Sequence, residues 1–363
     1  MNQAGVNEKY KVSPFYVFFL VHSMQTGVGV LSFQRVLAKS TGTDGWISIL
    51  LAGLIVHIMI WVIYKIFSFV PGDIISANNQ AFGKWMGNFF SLLFILYFLI
   101  IGMTVMISYI NVIHVWMFEE VPSWAFSVVF LVLIYYIHTG GFRTITGIAF
   151  LSVILTYWLL FVLFYAMKYS EFTNLLPVFH HTLMDILKGT RSTSSTMLGF
   201  EVILLYYPFI KDAKTSQKYA HGGALATTLM TVFIYLVSLV FYSHKQLELT
   251  IWPTLSLTSI VELPFIQRFE YIDVSWWAIV IIPNMTIALW AASRAFKRLF
   301  YVQQKYPLWG MLIIILIINI FVFDVDSLYI LNKIIDPYGV LFLVLYLPFL
   351  LVIIYIKKMR KRI

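Results

Sequence analysis

One carboxylate lies inside an otherwise apolar stretch and is the first residue that could do chemistry. Glu201 follows Gly199 and Phe200 and precedes the apolar run that ends at Ile210. An ionisable side chain at membrane depth is costly, so by default it indicates a functional site. The alternative is a protonated Glu201 that is hydrogen-bonded inside a helix bundle.

Two glycines one residue apart interrupt the first apolar stretch. They belong to the segment Gln25-Thr26-Gly27-Val28-Gly29 at its middle, and each glycine costs a helix about 1 kcal/mol relative to alanine. The pattern therefore predicts a break in this helix. Close packing against another helix is the alternative explanation for the same small residues.

The stretch that contains Glu201 is too short to cross a membrane as one apolar helix. Its apolar part, Leu198 to Ile210, spans roughly 20 Å at about 1.5 Å per residue, whereas a bilayer core is about 30 Å thick. The Ser- and Thr-rich segment GTRSTSSTM, residues 189–197, must complete the crossing. We predict a second break where these two parts meet, at Leu198 and Gly199.

Composition sets the class of protein to which these residues belong. Of the 363 residues, 61% are hydrophobic and 11% are charged, and the mean hydropathy is +0.87. Soluble domains have about 25% charged residues, so the composition excludes a water-soluble enzyme, a nucleic-acid-binding protein and a disordered scaffold. The sequence has no cysteine, which excludes disulfides, thiolate metal sites and a cysteine nucleophile.

Ten stretches are predicted to cross the membrane as helices of one polytopic domain, residues 1–363. With the N-terminus inside, most of the 25 Lys and Arg residues fall on inner segments, so the positive-inside rule predicts that both termini are cytoplasmic. The predicted spans are Phe15–Leu37, Trp46–Ile66, Phe89–Val115, Ser123–His138, Ile145–Met167, Gly189–Ile210, Ala220–Tyr242, Tyr271–Leu299, Leu308–Phe323 and Val340–Ile356.

The two predicted breaks occupy matching positions, in spans one and six. Because each unit has an odd number of spans, five, its second copy must be inverted, and the predicted repeats cover about 13–168 and 176–356. Inverted repeats with discontinuous first helices are typical of secondary transporters. Free N–H groups at Gly27 to Gly29 would face an anionic group of a ligand. Free carbonyls beside Gly199, together with Glu201, would face a cationic group. An amino acid satisfies both.

No enzyme motif is present. The sequence lacks a P-loop, a strand-borne G-x-G-x-x-G and a G-x-S-x-G, so nothing supports ATP, dinucleotide or hydrolase chemistry. The eight histidines lack metal-site spacing, and the adjacent His180 and His181 cannot share a helix face, so we predict no metal and no cofactor. The outer segment from Ser243 to Glu270 is partly amphipathic and is predicted to be a partner-docking surface, a lid or an interfacial helix.

Four passages resemble the spore germination protein family, the B subunits of nutrient germinant receptors in the amino acid-polyamine-organocation superfamily. They follow the family order across nearly the whole chain, and the third is peculiar to germination proteins. The passages are QTGVGVLSFQRVLAKSTGTDGWIS from Gln25 to Ser48, LGFEVILLYYPFIKD from Leu198 to Asp212, WPTLSLTSIVELPFIQRFEYIDVSWW from Trp252 to Trp277 and LWAASRAFKRL from Leu289 to Leu299.

The resemblance implies an all-α membrane protein with the ten-helix, 5+5 inverted-repeat fold of amino-acid permeases, in the inner membrane of the spore. It implies A-type and C-type partner subunits and a sensing role, in which binding a small nutrient such as an amino acid triggers germination. The implied ligand pocket, closed by faces of the third and eighth helices, involves Thr26, Gly27, Gly29, Leu198, Gly199, Glu201, Tyr97, Met103, Asn284 and Thr286.

Two other functions stay open. An amino-acid transporter coupled to H⁺ or Na⁺ is the main alternative, although the fifth stretch, Ile145 to Tyr165, has no Lys, Asp or Glu for an ion site. A subunit that conducts water or small ions once its partners switch it is the third possibility. Tyr97 and Asn284 could equally be ordinary hydrogen-bonding residues between helices.

Overall fold

Helices make up the regular secondary structure of this computed structural model, which describes residues 6–262, 264, 268–322 and 325–360. Val12 and Ile210 also form one isolated bridge, and short 3-10 turns join several helices. The α-helices are α1 (Tyr16–Gln25), α2 (Phe33–Thr41), α3 (Gly45–Phe69), α4 (Ile74–Phe82), α5 (Lys84–Trp116), α6 (Ser123–Thr139), α7 (Gly141–Thr156), α8 (Leu159–Val162), α9 (Leu183–Thr196), α10 (Ile203–Tyr206), α11 (Gln217–Phe241), α12 (His244–Leu249), α13 (Pro253–Thr258), α14 (Phe269–Phe300), α15 (Lys305–Val322) and α16 (Val325–Arg360).

Several helical segments of the described chain are long and apolar enough to cross a membrane. Three shorter apolar helices accompany them, Ser123–Thr139, Phe200–Phe209 and Lys305–Phe321. The count of ten crossings and the inverted repeat stay predictions, and the predicted end of span nine, Phe323, lies outside the described residues. The six long segments are Phe33–Phe69, Lys84–Trp116, Gly141–Tyr169, Ala213–Phe241, Phe269–Phe300 and Phe342–Arg360.

The long helix α5 shows how the bundle and the lipid divide its apolar side chains. Phe94 and Phe98 are buried, whereas Leu92 and Leu96, two residues before each of them, are exposed. Exposed leucines cost little in a membrane, because lipid tails are as apolar as leucine itself. A helix that is apolar on all sides is therefore stable at this position in the bundle.

The first predicted span is interrupted where its glycines lie. Helix α1 ends at Gln25, and α2 begins only at Phe33. Between them Gly27 is extended, with φ of −128° and ψ of −162°, and Val28–Leu31 form one 3-10 turn. The predicted break is present.

The sixth predicted span is interrupted as well. Helix α9 ends at Thr196, and Gly199 has φ of +124°, a conformation that glycine adopts without the strain of a side chain. A 3-10 turn, Phe200–Val202, then leads into α10. The Ser- and Thr-rich segment is helical, and its hydroxyls are satisfied inside the helix by donating to carbonyls one turn earlier, as Ser194 does to Thr190 at 2.7 Å.

The fifth predicted span is not one continuous helix. Helix α7 ends at Thr156, and the chain continues through α8 into a 3-10 turn, Leu163–Tyr169. The indole Nε1 of Trp276 donates to the carbonyl oxygen of Leu155 at 3.0 Å. A side chain from α14 therefore binds a carbonyl that a continuous helix would use for its own hydrogen bonding.

The outer segment packs into the bundle. Leu255 and Leu257 of α13 are fully buried. Thr254 donates to the carbonyl of Val30 at 2.9 Å and accepts from the amide of Gln34 at 2.6 Å, so α13 covers the turn that follows the first break. Of the predicted roles, a cover fits these residues and a free docking face does not. Other residues of the same predicted segment, Leu263 and 265–267, lie outside the described chain.

Asp73 begins α4 and fastens it to the end of α14. Its carboxylate accepts from the backbone N–H of Ser76 at 3.1 Å and from the guanidinium Nε of Arg298 at 3.0 Å. Asp73 is only 4% exposed. One side chain thus caps a helix and forms a partly buried ion pair.

We expect Asp73→Ala to lower the free energy of unfolding by about 2–4 kcal/mol, since it removes an N-cap and a hydrogen bond to a charged group. Asp73→Asn keeps the N-cap and should lower the free energy of unfolding less. Thermal unfolding of the purified protein in detergent measures both, with Ser68→Ala, which removes a hydroxyl bonded only to the carbonyl of Lys65, as the control. Equal losses for the two Asp73 variants would contradict a contribution from the cap.

Candidate functional site

The two breaks lie against each other. A Cβ atom built on Gly199 would lie 2.6 Å from the carbonyl carbon and oxygen of Met24, so only glycine permits this approach. Beside it the side-chain Nε2 of Gln25 donates to the carbonyl oxygen of Met197 at 2.6 Å. A backbone contact and a hydrogen bond therefore join the end of α1 to the end of α9.

Asn284 of α14 replaces helical hydrogen bonds that are lost at the first break. Its Nδ2 donates to the carbonyl oxygens of Met24 at 3.3 Å and Thr26 at 3.2 Å. In the apolar interior of a membrane protein such carbonyls need a donor from inside the protein. Asn284, predicted either to bind ligand or to join helices, joins helices in this structure. Its Oδ1 has no partner in the described chain, and its part in ligand binding stays a prediction.

Glu201 secures the second break. It is fully buried, its Oε1 accepts from the phenol of Tyr97 at 2.8 Å, and its Oε2 accepts from the backbone N–H of Gly199 at 2.8 Å. Tyr97 lies on α5, so this carboxylate links a third helix to the break. Glu201 and Tyr97 are therefore hydrogen-bonded to each other, whether or not they also bind a ligand.

A cavity of about 650 Å³ lies beside the crossing of the two breaks. Five of the predicted site residues line it: Gly27, Gly29, Leu198, Gly199 and Asn284. Helices α2, α5 and α9 supply most of the remaining wall. Residues of both predicted breaks therefore form part of the cavity wall, and ligand binding by them stays a prediction.

The other predicted site residues do not line this cavity. Glu201 and Tyr97 are bonded to each other, and Thr26 borders a separate, smaller cavity. Met103 is buried at 6% exposure, and the hydroxyl of Thr286 donates to a carbonyl of its own helix. Their roles in ligand binding stay predictions.

One side of helix α5, with both polar and apolar residues, lines the cavity. Ile101, Thr104, Val105 and Ser108 line it, and their spacing of three, four and seven residues places them on one side of a helix. Met103 falls between these positions and faces elsewhere. Sequence periodicity alone could not choose the face, because α5 is apolar on all sides.

Three consecutive backbone N–H groups are unpaired at the first break. No hydrogen bond joins the N–H groups of Gly27, Val28 and Gly29 to an acceptor within the described ranges, and all three residues line the cavity. Successive free N–H groups in a turn form concavities that bind anions. The cavity wall therefore includes a candidate anion site made of backbone alone.

Two free acceptors lie near these donors. The Oε1 of Gln25 and the Oδ1 of Asn284 are buried and have no hydrogen-bond partner among the described residues, and both residues line the cavity. An unsatisfied buried acceptor costs about 1–3 kcal/mol. A ligand that donates hydrogen bonds here would recover that free energy.

Among the described residues that line the cavity, Arg191 is the only charged one. It lies on α9 among Ser192, Ser195 and Thr196, which also line the cavity, and its own side chain is exposed. Sequence reasoning missed Arg191. The sequence did contain a signal for it, a single cationic side chain within the Ser- and Thr-rich half of a broken span. A guanidinium at such a place is suited to binding the carboxylate of a ligand.

A polar cluster outside the cavity fastens the loop before α9. The carboxylate of Asp44 accepts from the backbone N–H groups of Phe179, His180 and His181 at 2.6 to 3.1 Å, and from Nδ1 of His181 at 3.0 Å. Atoms of Asp44 and both histidines that could ligate a metal lie within 4.8 Å of one another. The sequence argument that adjacent histidines cannot share a helix face does not apply here, because both histidines lie in a loop. Four hydrogen-bond donors already bond to the carboxylate of Asp44.

Solved structures with the same fold are membrane transporters. A nucleobase-cation-symport-1 family transporter, in a closed conformation with bromovinylhydantoin bound, aligns with a TM-score of 0.65 and 12% identity over 95% of this chain and 80% of its own. A Na⁺-coupled sialic acid symporter in a substrate-bound outward-open state aligns with a TM-score of 0.65 and 13% identity over 93% and 79%. The fold is that of a multi-pass, permease-like membrane protein.

Sequence comparison gives the family. The profile described as "Spore germination protein" matches residues 11–327. Spore germination protein GerQB of Bacillus cereus is 44% identical over 342 residues, 94% of this chain and 95% of that protein. Spore germination protein A2 of Bacillus subtilis (strain 168) is 26% identical over 96% of this chain and 97% of its own. The chain belongs to the spore germination protein family, which confirms the resemblance seen in the sequence.

We expect Gly199→Ala to destabilise the protein by about 3 kcal/mol or more, since an alanine at positive φ is strained and its Cβ would overlap the Met24 carbonyl. Yield of folded protein on size-exclusion chromatography and thermal unfolding measure the effect. Gly147→Ala is the matched control, because a Cβ there meets nothing within 4 Å and should leave stability equal or higher. Wild-type stability for Gly199→Ala would contradict the close crossing.

We expect Asn284→Leu to lower the free energy of unfolding by about 2 kcal/mol or more, because two buried carbonyls lose their donor. Asn319→Leu is the control: Asn319 is 1% exposed, and its amide has no partner in the described chain, so its replacement should leave stability equal or raise it. Thermal unfolding compares the two. Equal losses of stability in the two variants would show that Asn284 does not stabilise the carbonyl groups at the break.

Proposed function

We propose that this protein is the ligand-sensing membrane subunit of a spore nutrient germinant receptor and that the nutrient is an amino acid or a similar small zwitterion. The observation that carries the proposal is the cavity of about 650 Å³, whose wall holds free donors and free acceptors at the crossing of two broken helices. Pockets for small molecules commonly have 300–1,000 Å³, about the size found here.

The carboxylate of the ligand would bind at the free N–H groups of Gly27, Val28 and Gly29, with Arg191 as the charged partner. Its ammonium group would donate to the Oε1 of Gln25 and the Oδ1 of Asn284, both without partners in the described chain. The sequence suggested Glu201 for the cationic end. We now favour the two amides, since both oxygens of Glu201 already accept hydrogen bonds.

Apolar side chains complete the proposed pocket. The cavity is lined by Val28, Phe33 and Val36 and by Ile101 and Val105 of α5. A nutrient with an aliphatic or aromatic side chain would bury apolar area against them at about 25 cal/mol per Å². The pocket as proposed therefore favours apolar amino acids over charged ones.

Binding would act as a signal only if it favours one arrangement of the bundle over another. A ligand shifts such an equilibrium by no more than its difference in affinity for the two states. Contacts with both breaks at once would supply that difference, since a movement of the turn at Gly29 relative to α9 would change its spacing to Thr196, whose Cγ2 lies 3.2 Å from where a Cβ on Gly29 would be.

The finer architecture belongs to the same proposal. We propose ten crossings in a single domain with inverted repeats of about 13–168 and 176–356, and cytoplasmic termini in the inner membrane of the spore. A-type and C-type subunits would receive the signal, and the chain would catalyse no reaction. The spore germination relatives and the permease-like fold support this arrangement.

Transport of an amino acid is the second candidate, because the fold is shared with transporters. Uptake of labelled amino acids by the isolated chain in proteoliposomes, increased by an H⁺ or Na⁺ gradient, would favour it. A receptor response that needs the nutrient without any uptake would favour sensing. The two outcomes separate the candidates directly.

We expect Arg191→Gln to raise the half-maximal nutrient concentration for germination about 10- to 100-fold, since a charge-assisted hydrogen bond contributes about 1.5–3 kcal/mol. Arg191→Lys keeps the positive charge but not the paired N–H groups of the guanidinium, so it should raise the half-maximal concentration less. Spores that rely on this receptor are tested against a panel of amino acids. The control is Lys188→Gln, an exposed position on the same helix that pairs with Asp185. An unchanged dose response for Arg191→Gln would contradict the proposed anion site.

A further inference from the structure

A group of polar side chains lies outside the nutrient cavity, where the loop before α9 meets the turn between α2 and α3. The loop comprises residues 176–182, and the turn is the 3-10 turn Gly42–Asp44. Asp44, His180 and His181 meet there, and none of the three lines the cavity. The proposed nutrient-binding function makes no use of them.

The side chain of Asp44 does not cap the helix that follows it. Asp44 occupies the N-cap position of α3, but its carboxylate accepts no hydrogen bond from that helix. An aspartate at an N-cap usually accepts from the first turn and stabilises the helix by about 1 kcal/mol. Here the carboxylate is 1% exposed and bonds to the backbone of the loop. It is therefore committed to the loop and not to α3.

Two imidazole nitrogens converge on one oxygen of this carboxylate. Nδ1 of His181 lies 3.0 Å from Oδ2 of Asp44, and Nδ1 of His180 lies 3.4 Å from the same oxygen. The centres of the two imidazole rings are 3.9 Å apart. One nitrogen or oxygen atom from each of the three residues lies within 4.8 Å of the other two. These atoms therefore surround a single point.

The separations match those of neighbouring ligands around one zinc ion. Zinc binds imidazole nitrogen and carboxylate oxygen at about 2.0–2.2 Å, usually with tetrahedral geometry, so neighbouring ligand atoms lie about 3.3–3.6 Å apart. The two distances from Oδ2, 3.0 and 3.4 Å, lie within a few tenths of an ångström of this range. Calcium and magnesium prefer oxygen ligands, so two imidazoles favour a transition metal.

The surroundings of the three residues suit a bound metal. The backbone N–H of Phe179 donates to Oδ1 of Asp44 at 2.6 Å, and those of His180 and His181 donate to Oδ2. Carboxylates that ligate metals are usually hydrogen-bonded in this way. Only the bond from Nδ1 of His181 has to be replaced, and the neutral ring then carries its hydrogen at Nε2. The side chains of His180 and His181 are 42% and 20% exposed, so solvent reaches the point between them.

We propose that Asp44, His180 and His181 bind one zinc ion, with a water molecule as the fourth ligand. The ion joins the turn between α2 and α3 to the loop that leads into α9, and both α2 and α9 line the nutrient cavity. This site does not depend on the proposed function, since none of its ligands contacts the nutrient cavity. It replaces the prediction from the sequence that no metal binds.

The test titrates zinc chloride into the purified full-length chain, expressed without a histidine tag, reconstituted in nanodiscs and freed of metal with EDTA. Calorimetry should show saturable binding of one ion per chain, and the midpoint of thermal unfolding should rise with zinc. His180→Gln should weaken binding at least about tenfold, because even an outer partner of a metal ligand contributes that much. The imidazole of His180 forms no hydrogen bond in the described chain, so this variant should keep wild-type stability without zinc.

Two controls replace histidines outside the three ligands. His244→Gln removes an exposed ring that pairs with Glu248 at 3.1 Å. His221→Gln removes one member of the close pair with His57, whose Nδ1 atoms lie 2.8 Å apart, and so tests another place where two imidazoles meet. Both variants should bind zinc as the wild type does.

Cobalt supplies a readout that a purely structural role of these residues would not change. Co²⁺ added to the wild-type chain should produce the visible absorption bands of tetrahedral coordination, and His180→Gln should lack them. The proposal is overturned if the wild-type chain shows no saturable zinc binding, if His180→Gln binds zinc unchanged, or if His221→Gln abolishes binding. Asp44 would then only anchor the loop.

Discussion

A helix that unwinds within an apolar bundle leaves peptide groups that must find partners inside the protein. Two helices of this chain unwind against each other, and three buried polar side chains meet that need. Asn284 serves the first break and Glu201 the second, while Gln25 bonds one to the other. These interactions fix the geometry from which the candidate site follows.

The groups that remain unsatisfied at the crossing are those that can bind a ligand. Free N–H groups lie at Gly27 to Gly29, and free amide oxygens belong to the same side chains that support the breaks. Structure and binding therefore share Gln25 and Asn284. A substitution at either position changes both stability and ligand affinity, and the two effects must be measured separately.

The sequence predicted the breaks because their causes are local. Glycine spacing and the length of an apolar run are visible within a few residues, and so is the carboxylate of Glu201. The partners that satisfy the breaks were harder to predict, since Asn284 lies 258 residues from Thr26 and Gln25 lies 172 from Met197. Arg191 was missed. On α5 the sequence predicted Tyr97 and Met103, neither of which lines the cavity, because a helix that is apolar on all sides carries no periodic signal that distinguishes lipid from cavity.

The seal that α13 forms over the first break has a mechanical consequence. Thr254 is the donor to the carbonyl of Val30 and also the acceptor for Gln34, so one hydroxyl connects α13 with the unwound turn and with α2. Lifting α13 would strip that turn of a partner in a water-poor interior. Helix α13 and the unwound turn should consequently move as a single lever, and a pull applied at one end would be felt at the other.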